Sequence, residues 1–274
     1  MKYLKFKIKI FSTIFISILV FGTIGFSILE NLSLSDAFYF TISTISTVGY
    51  GDVHPLTDSG KIMTILIIIL GVGAFLGVIA NSFEIMLNIR EKNHRNEKIN
   101  MIIGAFFSEA GSELITYLSG FDKALDKIRK QLVMNDDCTT NNFTLIKKNL
   151  KRYHYKINID HSDLPQLQNF FIKKKDFLLR LLENPYILEH ESFTELLMAV
   201  FHLAEELEHR NRFSQLPEED LEHLTNDIER VYSLLVYQWL DYMQYLKKNY
   251  PYLFSLAIRI NPFNPDASPI VCKL

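Results

Sequence analysis

SDAFYFTISTISTVGYGD, Ser35–Asp52, lies between two long runs that carry no charge, Ile10–Leu29 and Ile62–Phe83. At about 1.5 Å per residue each run makes a helix of roughly 30 Å, the thickness of a bilayer's hydrocarbon core. The apolar part of the quoted stretch, Ala37–Ser46, is too short to cross, and Ser35 or Asp36 can cap its start. It runs into TVGYGD, Thr47–Asp52, where Gly49 and Gly51 alternate with larger residues. A short helix going in and an extended segment coming out make a re-entrant loop, tolerated only where protein or water surrounds the backbone. Glycine permits positive φ, so successive carbonyls can point one way. Four such segments around an axis would stack rings of carbonyl oxygens, with the Thr47 hydroxyls innermost. Such rings can replace the hydration shell of a cation.

The charges divide the chain. Residues 1–90 hold 6 of the 29 Lys and Arg and 5 of the 31 Asp and Glu, so the remaining residues are the charged, near-neutral part. Lys2, Lys5, Lys7 and Lys9 precede the first run, and Arg90, Lys92, Arg95 and Lys98 follow the second. The linker between the runs carries Glu30, Asp36, Asp52 and Asp58 against Lys61 alone. The positive-inside rule therefore puts both termini in the cytoplasm. A cleaved signal peptide fits less well, because the first run exceeds the usual apolar core of about 7–15 residues and no A-x-A-like site follows. A net charge of −2 excludes a generally polybasic nucleic-acid binder. Cys138 and Cys272 stand far apart, which excludes a thiol-based zinc site of CxxC type and a disulfide framework. All 11 glycines lie at or before Gly120, so a dinucleotide-binding turn or glycine-rich hairpins are not expected beyond it.

The order of span, YFTISTISTVGYGD, then a second span containing LGVGAF resembles the two-transmembrane, one-pore prokaryotic potassium channels. The likeness covers about residues 10–90, and Thr47, Val48, Gly49, Tyr50 and Gly51 each match the family's filter in place. It implies that K+ is held by Thr47, Val48, Gly49 and Tyr50, with Thr44 and Asp52 as filter supports. Tyr50 separates the sequence from sodium-permeable relatives with Asp there. One departure stands out: Ser43 occupies the place where some members carry a pore-helix glutamate paired with the aspartate that matches Asp52. Asp52 must find another partner, such as Tyr39, contact with Phe40, or water.

In the second span the resemblance places a gating hinge at Gly71. Gly73 and Gly77, four apart, read as helix-packing positions instead. Glu84, near the inner end, reads equally as a ring of charge at the pore's inner mouth or as an interfacial acid paired with Arg90. No run of spaced arginines lies in either span, so voltage sensing of that kind is not expected.

Beyond residue 90 the pattern is helical. EKNHRNEKI, 91–99, continues the second span, and Ile102, Phe106, Phe107 and Leu114 begin a further segment. FDKALDKIRKQL, 121–132, reads as a short helix and 134–142 as a loop; 143–157 is ambiguous between helix and strand. A helix follows from about Asp163 to Asn184. Ser192 and Glu195 read as a capping box for another, with Phe193, Leu196, Leu197, Val200, Ala204 and Leu207 as its apolar face. Pro217 opens a long helix closed before Pro251, with spacing that fits a bundle better than a coiled coil. His202, Glu206 and His209 share one helix face, and Asp220–His223 is an imperfect second half of such a metal-binding pattern. A solvated charged face is the favoured reading. Lys147, Lys148, Lys151, Arg152 and Lys156, with Lys173–Lys175, could meet anionic lipid or nucleotide, but acids nearby favour a solvated face. PYLFSLAIRINPFNP, 251–265, reads as packed against the bundle or a neighbour.

The sequence therefore predicts an all-α chain. Residues 1–90 form two transmembrane helices with a re-entrant pore helix and filter, and residues 91–274 a helical cytoplasmic domain. The resemblance implies a multi-pass subunit of a potassium-selective homotetramer, meeting three identical subunits and the lipid of the plasma or inner membrane. The cytoplasmic domain is a candidate for gating by a ligand or protein that the sequence does not name. No cofactor besides permeant K+, no nucleic-acid partner and no enzyme activity are expected. A membrane-anchored sensor with a vestigial pore is the alternative, and no nucleophile–base pair or phosphate loop supports an enzyme of that kind. A Trk-like transporter would need four pore repeats in one chain, and there is one.

Overall fold

A computed structural model describes residues 2–271. The side chains of Lys2 and Lys5, and Cys272 entirely, lie outside what is described. Two compact units divide between His94 and Arg95. Among the described residues the regular structure is helical, with one isolated antiparallel bridge between Asp122 and Ile157.

The first unit contains α1 (Lys2–Leu29), α2 (Leu34–Ile45) and the start of α3 (Asp58–Phe106). Phe6–Leu29 and the helical stretch beginning at Asp58 are long and apolar enough to cross a membrane. Most of their large apolar side chains are exposed in the single chain, among them Ile14, Phe21, Ile28, Ile65, Ile69 and Leu76. A small core joins the three helices through Phe26, Ala37, Phe40, Ile45 and Ile67, with Phe26 and Phe40 edge to face at 4.6 Å. Glu30, at the end of α1, accepts hydrogen bonds from Leu56 N, Thr57 N and the Thr57 hydroxyl. That fastens the C-terminal end of α1 to the start of α3.

The second unit opens on the rest of α3, which passes through a π-helical turn at Phe107–Gly111 into α4 (Ser112–Ser119). The expected segment around Ile102 to Leu114 is thus continuous with the membrane helix. The next helix, α5, covers Asp126–Leu132 rather than starting at 121. Residues 121–125 are instead drawn toward 156–158: Lys123 N donates to Lys156 O, and Asn158 N to Phe121 O. The organiser is buried Asp122, whose carboxyl accepts from Ala124 N at 2.9 Å and the Tyr153 hydroxyl at 2.6 Å. The ambiguous stretch resolves as helix in its first part, α6 (Thr140–Leu150), capped by Thr139, followed by irregular chain that reaches the isolated bridge at Ile157.

The remaining helices are α7 (Leu164–Leu182), α8 (Glu191–Glu208), α9 (Glu218–Asn249) and α10 (Pro251–Arg259). His190, not Ser192, caps α8, its Nδ1 accepting from Phe193 N at 3.2 Å. Ser192 donates across to Gln238 instead. On α8, Leu203 is buried and Ala204 only half-buried. The apolar face is otherwise as the spacing predicts. The long α9 touches α4, α6, α8 and α10. It buries Leu224, Ile228, Tyr232, Leu235, Trp239 and Met243 at helical spacing, and so forms the bundle's axis. The proline-punctuated tail packs on it, with Phe263 edge to face on Trp239 and buried Asn261 donating to Leu132 O.

Burial pushes the Tyr117 hydroxyl up to about 12. Burial, with Asp122 adding to it, also raises Tyr153, Tyr155 and Tyr232 well above the ordinary tyrosine value. In the unfolded chain these groups ionise near about pH 10. Their raised folded values mean that the stability they carry is complete below pH 10 and is lost as pH rises above it. Thermal melts of the purified protein followed by circular dichroism should fall steeply above pH 10. Tyr153→Phe should cost about 1.5–3 kcal/mol, because Asp122 loses a short hydrogen bond. Tyr232→Phe should keep or raise the melting temperature, since its buried hydroxyl has no partner.

Candidate functional site

Ser33 rather than Ser35 or Asp36 starts the pore helix: its hydroxyl accepts from Asp36 N at 3.1 Å and donates to the Asp36 carboxylate at 2.8 Å. The 12 residues of α2 rise about 18 Å, well short of a bilayer. At the other end the chain turns sharply. Ser46 N donates to Ile42 O, and Thr47 N to Thr44 O. Val48 N and Gly49 N then both donate to the carbonyl of Ser43, at 3.0 and 3.2 Å. The C-terminal, partially negative end of α2 therefore runs directly into the filter segment.

Backbone handedness alternates along that segment. Thr47, Gly49 and Gly51 have φ of 62°, 55° and 80°, whereas Val48 and Tyr50 stay at negative φ. Alternation of this kind turns successive peptide planes to the same side, so N–H groups can gather toward Ser43 while carbonyls gather on the opposite side. The two glycines take positive φ without steric cost. Thr47 is β-branched and does not; strain of about 1–3 kcal/mol is held there by the surrounding bonds. The filter side chains are exposed in the single chain, Tyr50 at 74% and Val48 at 53%.

Tyr39 supplies the support that the missing pore-helix carboxyl leaves open. Its hydroxyl donates to Asp52 Oδ2 at 3.0 Å, and its ring lies parallel to Tyr50 with centroids 6.4 Å apart. Asp52 Oδ1 also accepts from Val53 N. Thr44 is half-buried and, with Thr47, Gly49, Thr64, Ile68 and Val72, lines an open pocket of about 370 Å³ between α2 and α3.

The three glycines of α3 differ. A methyl on Gly71 would stand 2.7 Å from Cγ1 of buried Ile45, the last residue of α2. Gly77 lies directly under the Phe11 ring. At Gly73, read from its spacing as a packing position, an added methyl would meet nothing within 4 Å in the single chain. Gly71 is thus a close-packing glycine as well as the position matching a hinge. Glu84 is exposed on α3, and its backbone carbonyl accepts from Asn88.

In the second unit the basic residues disperse. Lys147 pairs with Asp241 and Gln244, Lys175 with Glu208, and Lys174 with Glu113. His209 turns its Nδ1 to Glu205 O, away from the face it was expected to share with His202 and Glu206. Those two instead meet His223, which the second half at Asp220–His223 had included, and Asp227 of α9, which it had not.

Residues 95–259 match the family described as uncharacterized protein MJ1433, C-terminal helical domain, and residues 13–88 match the ion channel family. Uncharacterized protein MJ1433 of Methanocaldococcus jannaschii is 50% identical over 181 residues, which is 66% of this chain and 72% of that protein. The calcium-gated potassium channel TvoK of Thermoplasma volcanium is 30% identical over 155 residues, covering 48% of this chain and 44% of TvoK. The voltage-gated potassium channel Kch of Escherichia coli is 54% identical over 43 residues, 16% of this chain and 10% of Kch. The chain thus spans less than half the length of either potassium channel. No solved structure matches it.

The Gly71 contact sets a test of the site's packing. Gly71→Ala should lower the melting temperature of the detergent-purified protein, at a cost of about 1–3 kcal/mol for forcing a methyl against Ile45. In an Ile45→Ala background the opposing atoms are gone, so Gly71→Ala should cost less there than it does in the wild type. Equal melting of wild type and Gly71→Ala would contradict the close packing.

Proposed function

The chain belongs to the family of the MJ1433 C-terminal helical domain and carries a pore domain of the prokaryotic potassium-channel family; from that premise we propose that four copies assemble a K+-selective pore gated by their helical domains. It is a membrane channel protein and not an enzyme. The observation that carries the reading is the alternating backbone of Thr47–Gly51, with Val48 N and Gly49 N both held by Ser43 O. That arrangement frees the carbonyls of Thr47, Val48, Gly49 and Tyr50 for a dehydrated K+ ion. One chain supplies one filter segment, so three further copies are needed to close the rings.

The basic flanks of the two spans favour cytoplasmic termini. In this orientation four copies of Glu84 lie near the inner mouth and raise the local cation concentration. Gly71 is the proposed hinge: it touches the last residue of the pore helix, and α3 runs unbroken from there to Phe106. A displacement of the bundle is thereby carried along one helix toward the base of the filter.

Purified protein in liposomes should pass K+ and Rb+ far better than Na+. Gly51→Ala should abolish the flux while the chain remains in the membrane, because alanine is strained at φ 80°. Equal K+ and Na+ flux from folded wild-type protein would overturn the reading. Truncation after Asn93 should keep the K+/Na+ ratio and change the open probability; an unchanged open probability would reduce the helical domain to a scaffold.

A further inference from the structure

Where α3 ends, the helical unit keeps a pocket of about 240 Å³ between the π-helical turn at Phe107–Gly111, α9 and α10. Among the described residues that line it none is charged, and most are apolar. Single π turns inside α-helices recur at functional sites. This one carries Phe107, stacked on Tyr242 with centroids 5.5 Å apart, and the exposed Ser108, and both line the pocket.

Two donors in the pocket have no acceptor. Trp239 is only 3% exposed, yet its indole N–H makes no hydrogen bond among the described residues. That nitrogen is not sealed off as the Tyr232 hydroxyl is, and the space it faces is the pocket that Trp239 lines. The Tyr242 hydroxyl lies over Gly104, 2.8 Å from where a methyl on that glycine would stand, and it too lacks a partner among the described residues. Burial alone pushes this hydroxyl above the ordinary tyrosine value. Buried donors are ordinarily satisfied, so two of them in one apolar pocket point to an acceptor that arrives from outside the chain.

We propose that this pocket binds a neutral, mainly apolar small molecule with one carbonyl-type acceptor, held by Trp239 Nε1 and the Tyr242 hydroxyl. A nucleotide or a carboxylate would be buried there without a counter-charge. A cavity of about 150 Å³ holds benzene, so one of this size holds about ten non-hydrogen atoms. Leu253 and Leu256 of α10, with Ile260 just after it, line the pocket and stay 39, 40 and 44% exposed. Water could satisfy the two donors, but only a molecule with an apolar body of its own also covers these side chains. Such an occupant touches the π turn, α9 and α10 together, and so stiffens the point where α3 gives way to α4. The inference stands on the bundle alone, so a pore that failed to select K+ would leave it untouched.

The test uses full-length protein in detergent and para-fluoroacetophenone, a neutral ketone of the size the pocket admits, followed by its fluorine NMR signal. Binding should saturate with a dissociation constant below about 1 mM. Unfluorinated acetophenone should displace the probe, which simple partition into micelles does not allow. Trp239 is the one tryptophan of the chain, so quenching of its fluorescence should follow the same saturation curve. Ser108→Leu, which sets a branched side chain into the pocket, should weaken binding roughly tenfold. Trp239→Phe keeps an aromatic ring but removes the donor, and should weaken it about three- to tenfold. Melting curves without ketone establish that the variants fold, and the exposed Ser108 is the substitution least able to disturb the core. No saturable binding up to about 1 mM, as when a second copy of the chain already covers the mouth, or equal affinity in wild type and Ser108→Leu, would overturn the site.

Discussion

The carbonyl of Ser43 receives two N–H groups, from Val48 and from Gly49, and the membrane unit is arranged around that pair of bonds. Backbone that is neither helix nor sheet survives at membrane depth only if its polar groups find partners in protein or water. A single α2 carbonyl thus satisfies two filter donors. With those donors turned to the pore helix, positive φ at 47, 49 and 51 turns the carbonyls the other way. The strain at Thr47 is tolerable because both sides of the segment are fastened, by Ser43 on one and by Asp52 with Tyr39 on the other.

The outer fastening shows how a local departure is accommodated. Ser43 is too short and too deeply buried to reach Asp52 as a glutamate would. Tyr39, one turn earlier on α2, reaches it with a phenol hydroxyl. Asp52 thus has a neutral phenol hydroxyl for a partner where a pore-helix glutamate would supply a second carboxyl. Ile45 carries the same constraint to α3: the close approach at that point requires a residue without a side chain, and Gly71 provides it.

The helical unit rests on a different principle. Water is available outside, so its elements are held by apolar burial along α9, and polar side chains fix the places where the chain must leave a helix. Asp122 breaks what would have been a longer α5 by capturing Ala124 N and Tyr153, and Asn261 pins the tail to Leu132 O. The pairing of His202 with Asp227 belongs to the same layer of interactions, made between helices after each has formed.

Two uncharged runs, the TVGYG segment and the helical periodicity beyond residue 90 were legible because each is a pattern within a few turns of one chain. Spacing alone therefore gave the all-α class, the short helix between two long apolar ones and the apolar face of α8, whereas the filter residues came from the resemblance. Capping was legible in kind but misplaced, to Ser35 or Asp36 instead of Ser33 and to Ser192 instead of His190, since several residues near a helix start offer an acceptor. The choice of Tyr39 among the partners open to Asp52, the dual bond at Ser43, the early break before α5 and the pairing of His202 with Asp227 were settled by tertiary structure. Each depends on the distance between side chains or backbone groups that no period along the chain relates. Packing sets that distance, and it takes a folded backbone to bring α8 and α9 face to face.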